Sequence, residues 1–200
     1  MILPPVVRVF FAVALPKDIN DLVAHYIDEL KTLSRTNKIR WTRAENLHIT
    51  LQFLAEVKGE DIPHLLACVE NELLAAQHPV SFHLRDLHLF PDPHRPRVIV
   101  MGVAPQTRLA EWSALIGKGI QKAGYEIENR PYRAHLSLGR IKTSQTKTLN
   151  FLQDAMPVVL PEIKLSEVVL FQSEPHPEGS QYIPLARLPL GEQPAVKKAR

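Results

Sequence analysis

A chain of 200 residues with 45% hydrophobic and 22% charged side chains can bury a substantial core without disulfides or metal. Its 24 basic residues exceed 21 acidic ones by three, and Lys197, Lys198 and Arg200 supply that whole excess. Residues 1–196 are thus balanced in charge, which excludes a global basic field and a wide, non-specific grip on nucleic acid.

Val6 to Leu15 is rich in β-branched and aromatic residues and predicts a buried strand. It has the apolarity of a signal-peptide core, but Arg8 interrupts it and no positive charge precedes it. Pro16 ends it, and Asp18–Leu33 follow with helical spacing of Ile19, Leu22, Val23, Tyr26, Ile27, Leu30 and Leu33. Leu47–Val57 is a second strand. Gly59 separates it from a helix running to about Gln77, in which Cys68 lies among Leu65, Leu66 and Val69 as a packed thiol. As the only cysteine it cannot pair internally, which fits a reducing, cytoplasmic setting. Val80–Phe90 alternates as a strand, and Pro91, Pro93 and Pro96 mark a turn region. The order then begins again: strand Arg97–Val103, helix Thr107–Ala123, strand Arg133–Ile141, short helix Thr146–Ala155, and strands Ile163–Phe171 and Gln181–Leu188. Residues 191–200 read as a flexible basic tail. No run approaches the roughly 18 apolar residues of a membrane span, so no membrane partner is expected.

This repeated order predicts an α+β class and a bilobal, duplicated fold within a single domain, residues 1–190. Two pseudo-symmetric, antiparallel-rich sheets would carry helices on their outer faces and enclose a central cleft. The lobe boundary is placed near residues 91–96, with strands allowed to cross between lobes, the N-terminal strand in particular. A cleft built within one chain makes a monomer sufficient.

Two strands share a pattern of histidine, apolar, hydroxyl, apolar: His48-Ile49-Thr50-Leu51 and His135-Leu136-Ser137-Leu138, 87 residues apart. Side chains alternate along a strand, so each presents an imidazole and a hydroxyl to one face and anchors the other in apolar packing. Facing one another, the strands would offer a paired acid and base for in-line displacement at a phosphodiester. Each imidazole would need to come within about 2.6–3.2 Å of its proton partner. Imidazole serves either role near neutral pH, and Thr50 and Ser137 would donate to the non-bridging phosphate oxygens. The alternative is that both histidines merely satisfy polar groups of the sheets, which leaves the recurrence of the hydroxyl unexplained. The two copies are chemically near-symmetric, so the residues alone do not say which imidazole is the acid.

A metal site and a glycine-rich, ATP-cradling loop are not expected. Helical His-Glu-x-x-His, cysteine pairs and a Gly-x-x-x-x-Gly-Lys run are all missing. His83 and His88 are five apart and fall on opposite faces of a regular strand. Together with His25, His64, His78, His94 and His176 they read as surface or structural residues.

The paired motifs resemble those of the 2H phosphoesterase superfamily, specifically the bacterial and archaeal RNA 2′,3′-cyclic phosphodiesterases, also called 2′-5′ RNA ligases. Arg8-Val9-Phe10-Phe11-Ala12-Val13 resembles the family's opening strand. Arg40-Trp41 with Glu45-Asn46-Leu47-His48-Ile49-Thr50-Leu51-Gln52-Phe53-Leu54 is similar to its first motif block. Pro131-Tyr132-Arg133-Ala134-His135-Leu136-Ser137-Leu138-Gly139-Arg140 resembles the second block, and Val169–Ser173 with Tyr182 the closing strands. The resemblance covers about residues 8–190. It implies hydrolysis of an RNA 2′,3′-cyclic phosphate to a 2′-phosphomonoester without metal, ATP or other cofactor. His48 is then the proton donor to the leaving 3′ oxygen, and His135 is the proton acceptor that activates water. Partners would be RNA with 2′,3′-cyclic phosphate ends, or cyclic nucleotides.

Arg140 matches an arginine that lies near the phosphate in relatives, and a guanidinium pairs with phosphate oxygens bidentately. Strict alternation nevertheless turns it away from His135 unless the strand bends; a surface arginine is the competing reading. Tyr132 matches an aromatic position that stacks on the terminal base, with core or rim packing as the alternative. Arg133 is expected in solvent. Ser137 replaces the commoner threonine, Ala134 a frequent proline, and Ala55 a common glycine; none removes a catalytic group. Two further readings stay open: 2′-5′ joining of RNA through the same imidazoles, and a non-catalytic module binding RNA ends or nucleotides, for which two acid–base groups would be superfluous.

Overall fold

The computed structural model describes residues 3–74, 79–142, 146–177 and 179–190. In chain order they form β1 (Val6–Ala14), α1 (Lys17–Ser34), β2 (Ile39–Trp41), β3 (His48–Lys58), α2 (Ile62–Leu73), β4 (Val80–Phe90) and β5 (Val98–Ala104). There follow α3 (Thr107–Lys122), β6 (His135–Ile141), β7 (Ile163–Leu165), β8 (Glu167–Glu174) and β9 (Gln181–Pro189). The short helix expected at 146–155 is a 3-10 segment, Thr146–Gln153. The end of the second predicted helix, His78, and the predicted basic tail at 191–200 lie outside the described residues.

All strand pairings are antiparallel, and they build two sheets, ordered β3-β1-β8-β9 and β2-β6-β5-β4-β7. The α+β duplication is present: read from each histidine strand, β3-β1-β8-β9 corresponds to β6-β5-β4-β7. The division of the chain between the sheets differs from the expectation. Residues 91–96 are no lobe boundary; they lie in the tight connection between β4 and β5, neighbours in one sheet, closed by Arg97 N donating to Phe90 O at 2.8 Å. A short connection favours antiparallel neighbours over a jump between sheets. The N-terminal strand does pair across that point of the chain: β1 lies between β3 of the first half and β8 of the second. Each repeat keeps strand, helix and histidine strand together and sends its next long strand, β4 or β8, to the other sheet.

The predicted strand Ile163–Phe171 is two strands. Residues 163–165 pair with β4 in the second sheet, whereas 167–174 pair with β1 and β9 in the first. The break is at Ser166, whose carbonyl accepts the Leu190 amide. β2 was not foreseen; three residues are too few to show a period. It pairs with β6 through Ile39↔Ile141, Arg40↔Arg140 and Trp41↔Gly139.

Helix α1 buries Ile19, Val23, Tyr26, Ile27 and Leu30 along one face, as its spacing dictates. Helices α2 and α3 pack closely where Gly119 meets Val69: a Cβ there would lie 2.5 Å from the Val69 Cα. One hydrophobic cluster draws residues from both sheets and all three helices. Among the described residues no helix is long and apolar enough to cross a membrane.

Candidate active site

The two histidine strands lie against each other, one from each sheet. His48 opens β3 opposite Ala14, and Thr50 sits opposite Ala12, so small neighbours leave room for both side chains. His135 opens β6 opposite Gly102, and Ser137 sits opposite Val100. Ile49, Leu51, Leu136 and Leu138 are buried, as alternation requires.

Both strands then break their alternation at the same point. The pairing steps from Ala12↔Thr50 to Phe11↔Gln52, and from Val100↔Ser137 to Ile99↔Gly139, leaving Leu51 and Leu138 without opposite partners. These are β-bulges, each on the last residue of its motif. Each bulged carbonyl has a donor: Ser113 Oγ on α3 donates to Leu51 O at 2.8 Å, and Thr42 N donates to Leu138 O at 2.8 Å. The extra residue returns the following side chains to the histidine face. Phe53 and Arg140, again 87 apart, therefore both line the groove. This removes the objection that alternation turns Arg140 away. A shift between Leu84 and Leu87 upsets the same argument for His83 and His88, and the His88 ring lies over Gly102, the partner of His135.

The groove has a volume of about 490 Å³ and is lined by His48, Thr50, Ser137 and Arg140, with Phe10, Phe53 and Tyr182 among its walls. His135 and Tyr132 line an adjoining cavity that shares Thr50 and Phe53 with it. Thus Thr50 borders both the cavity that holds His48 and the one that holds His135. Each imidazole is held in the same way: His48 Nδ1 lies 2.7 Å from Asn46 O, and His135 Nδ1 lies 2.8 Å from Arg133 O. A carbonyl only accepts, so in each neutral ring Nδ1 carries the hydrogen and Nε2 is left for proton transfer. His48 Nε2 is 3.1 Å from Thr50 Oγ1.

Their surroundings differ. His48 is caged by Phe10 at 4.8 Å, Tyr182 edge-on at 5.1 Å and Phe171 at 6.3 Å between ring centroids. His135 has Phe90 stacked on it at 4.5 Å. Burial lowers the His48 pKa from 6.5 to about 4, against the pull of the Asn46 carbonyl and with a smaller push from His135. The open groove therefore holds His48 neutral.

Tyr132 is pinned as well as placed. Its hydroxyl donates to Thr50 O at 3.2 Å, tying the loop before β6 to β3, and burial raises its pKa well above 10. Arg133 is exposed, as expected. Gln52 donates to Ser113 O and Oγ at 3.0 and 3.1 Å, which completes a buried network behind the first bulge. Phe10, Phe90, Phe53 and Ser113 carried no role in the sequence reading. The helix containing Ser113 and the aromatic cages around the histidines come from distant segments, and only the groove-facing Phe53 was near a motif. His25 sits beside Glu29 on the surface of α1, and His64 beside Cys68 on α2. Among the described residues no three His, Cys, Asp or Glu side chains converge as metal ligands would.

Two antiparallel sheets each bring a histidine–hydroxyl strand to these adjoining cavities, on an α+β fold with three helices. A sequence model described as LigT like phosphoesterase matches residues 13–100. The RNA 2′,3′-cyclic phosphodiesterase of Methanothermobacter thermautotrophicus is 30% identical over 178 residues, covering 88% of this chain and 95% of that protein. That of Archaeoglobus fulgidus is 29% identical, covering 88% and 96%. The crystal structure of E. coli LigT complexed with 3′-AMP shares the fold with a TM-score of 0.71 at 24% identity, over 94% of this chain and 99% of that one. A Thermus thermophilus crystal structure gives 0.73 at 24%, over 93% and 100%. The chain belongs to the LigT-like phosphoesterase family, within the 2H superfamily, and is a phosphodiesterase.

Proposed function

We propose that this protein hydrolyses RNA 2′,3′-cyclic phosphate ends to 2′-phosphomonoesters by acid–base catalysis between His48 and His135, without a metal ion. The observation that carries this reading is the pair of imidazoles from two sheets, each with Nδ1 fixed by a backbone carbonyl and Nε2 left for proton transfer, that of His48 beside Thr50. The names of the archaeal relatives and the 3′-AMP complex of E. coli LigT support a ribose phosphate as the group recognised.

In this mechanism His135 Nε2 takes a proton from water, whose oxygen attacks phosphorus. The P–O3′ bond breaks, and His48 Nε2 delivers its proton to O3′, leaving phosphate on O2′. Thr50, Ser137 and Arg140 hold the non-bridging oxygens, where negative charge gathers in the transition state. Tyr132, beside His135, flanks the terminal base. His48 is neutral in the open groove, so the proton it donates enters with substrate: the phosphate anion beside Nε2 favours the imidazolium. The site lies within one chain, so a monomer suffices.

The test is conversion of 2′,3′-cyclic AMP in EDTA. The expected product is the 2′-phosphate, and His48→Ala or His135→Ala should each lower kcat by about 10²–10⁴ with the circular dichroism spectrum unchanged. Full turnover in either variant, or a 3′-phosphate product, would overturn the assignment. Binding without turnover in the wild type would favour the non-catalytic module.

A further inference from the structure

The groove is far more basic than the chain. Among the described residues four arginines line it, Arg8, Arg40, Arg43 and Arg140, and no aspartate or glutamate does. Arg43 lies near Glu45. Arg8, Arg40 and Arg140 are exposed and make no ion pair with a described residue. Arg40 and Arg140 are direct cross-strand partners in the β2–β6 ladder, on one face. Paired Cα atoms in such a ladder are about 4.5–5.5 Å apart, and like charges directly opposite destabilise a sheet. β2 therefore spends stability to hold a second guanidinium beside the first.

The reacting group does not account for both. A 2′,3′-cyclic phosphate is a diester with one negative charge, already matched by Arg140 and the imidazolium. Arg140 is on β6, one bulge beyond Ser137, and is the arginine placed to reach that phosphate. Arg40 is one strand further out, on the sheet edge. On the facing sheet Arg8 lies two residues before Phe10, which packs against His48, so it too sits further along the groove.

We propose that Arg40, with Arg8 from the opposite wall, forms a second phosphate site that takes the internucleotide phosphate next to the cyclic end of an RNA strand. This rests on the cyclic-phosphate reading of the groove. It makes the enzyme select strand ends over mononucleotides, and it concentrates on one short path the positive charge that the chain as a whole lacks.

The test compares adenosine 2′,3′-cyclic phosphate with the dinucleotide ApA ending in a 2′,3′-cyclic phosphate, and with the 5′-phosphorylated cyclic mononucleotide. The wild type is expected to show a KM at least about tenfold lower for the dinucleotide, an advantage that shrinks as salt rises, by a slope of about 0.7 for the one phosphate. In Arg40→Ala the two KM values should converge to within about twofold, and Arg40→Lys should keep part of the difference. A 5′-phosphate that matches the dinucleotide means any phosphate at that position suffices; one that gives no gain means the diester and its second nucleoside are both needed. An equal loss on all three substrates in Arg40→Ala would put Arg40 on the reacting phosphate and overturn the proposal, as would a wild type with no dinucleotide advantage. If no substrate is hydrolysed, the catalytic reading falls by itself. The second site is then read from equilibrium binding of the same dinucleotide and mononucleotide, where an affinity ratio lost in Arg40→Ala supports it and equal affinities overturn it.

Discussion

His48 and His135 share a motif pattern, yet Phe10, Tyr182 and Phe171 surround the first ring, whereas among the described residues Phe90 is the ring stacked on the second. The consequence is a titration. Unfolded, His48 protonates near 6.5; folded, near 4. Between those values the unfolded chain binds a proton that the folded chain refuses, so this contribution to stability is complete above about pH 6.5 and is lost as pH falls toward 4. The integrated loss is up to about 3 kcal/mol. Thermal unfolding followed from pH 7.5 to 4 should show the fall, and His48→Gln should flatten it. NMR titration of the His48 ring should place its midpoint near 4 in the free protein and higher with a bound 2′-nucleoside monophosphate, whose charge stabilises the imidazolium. A midpoint that stays put on binding would remove the route by which His48 acquires its proton. None of this asymmetry was legible in the motifs, because the rings around His48 come from other strands: Phe10 precedes it in β1, and Phe171 and Tyr182 lie more than 120 positions downstream.

At the scale of the strand, the residue pattern was legible up to the fourth motif position and misleading beyond it. Alternation correctly put His48 with Thr50 and His135 with Ser137. It failed for Arg140 because a bulge at Leu138 inserts one residue, and a one-residue shift exchanges the faces of a strand. The bulge in β3 is held by Ser113 on α3, which is buried and donates to the Leu51 carbonyl. Ser113→Ala removes that bond and should cost about 1–3 kcal/mol. Because Thr50 and Phe53 flank the bulge, kcat on a cyclic nucleotide should fall severalfold with KM nearly unchanged. Stability loss with kcat intact would show that Ser113 supports the fold but does not position the site. Nothing in the sequence around Ser113 marks it; it reads as one polar residue in an amphipathic helix.

Across the whole molecule, β4 and β8 exchange sheets, and with β2 and β9 each sheet is completed by two strands of the other repeat. The joint between α2 and α3 is close enough that a methyl on Gly119 would lie 2.5 Å from the Val69 Cα and 2.9 Å from the Cys68 carbonyl oxygen. Backbone cannot swing aside as a side chain can. Gly119→Ala should therefore force the helices apart and lower stability by about 1–3 kcal/mol, read as a reduced denaturant midpoint. An unchanged midpoint would mean the helix pair is more compliant than its packing indicates. The repeated order of elements, their periods and the doubled histidine–hydroxyl motif were set by local residue pattern, which is why class and family could be read before any coordinates and the two histidines singled out as candidates. Which strand joins which sheet, where bulges turn Phe53 and Arg140 into the groove, and which histidine is dehydrated depend on contacts between segments far apart in the chain. Those contacts leave no local period to read.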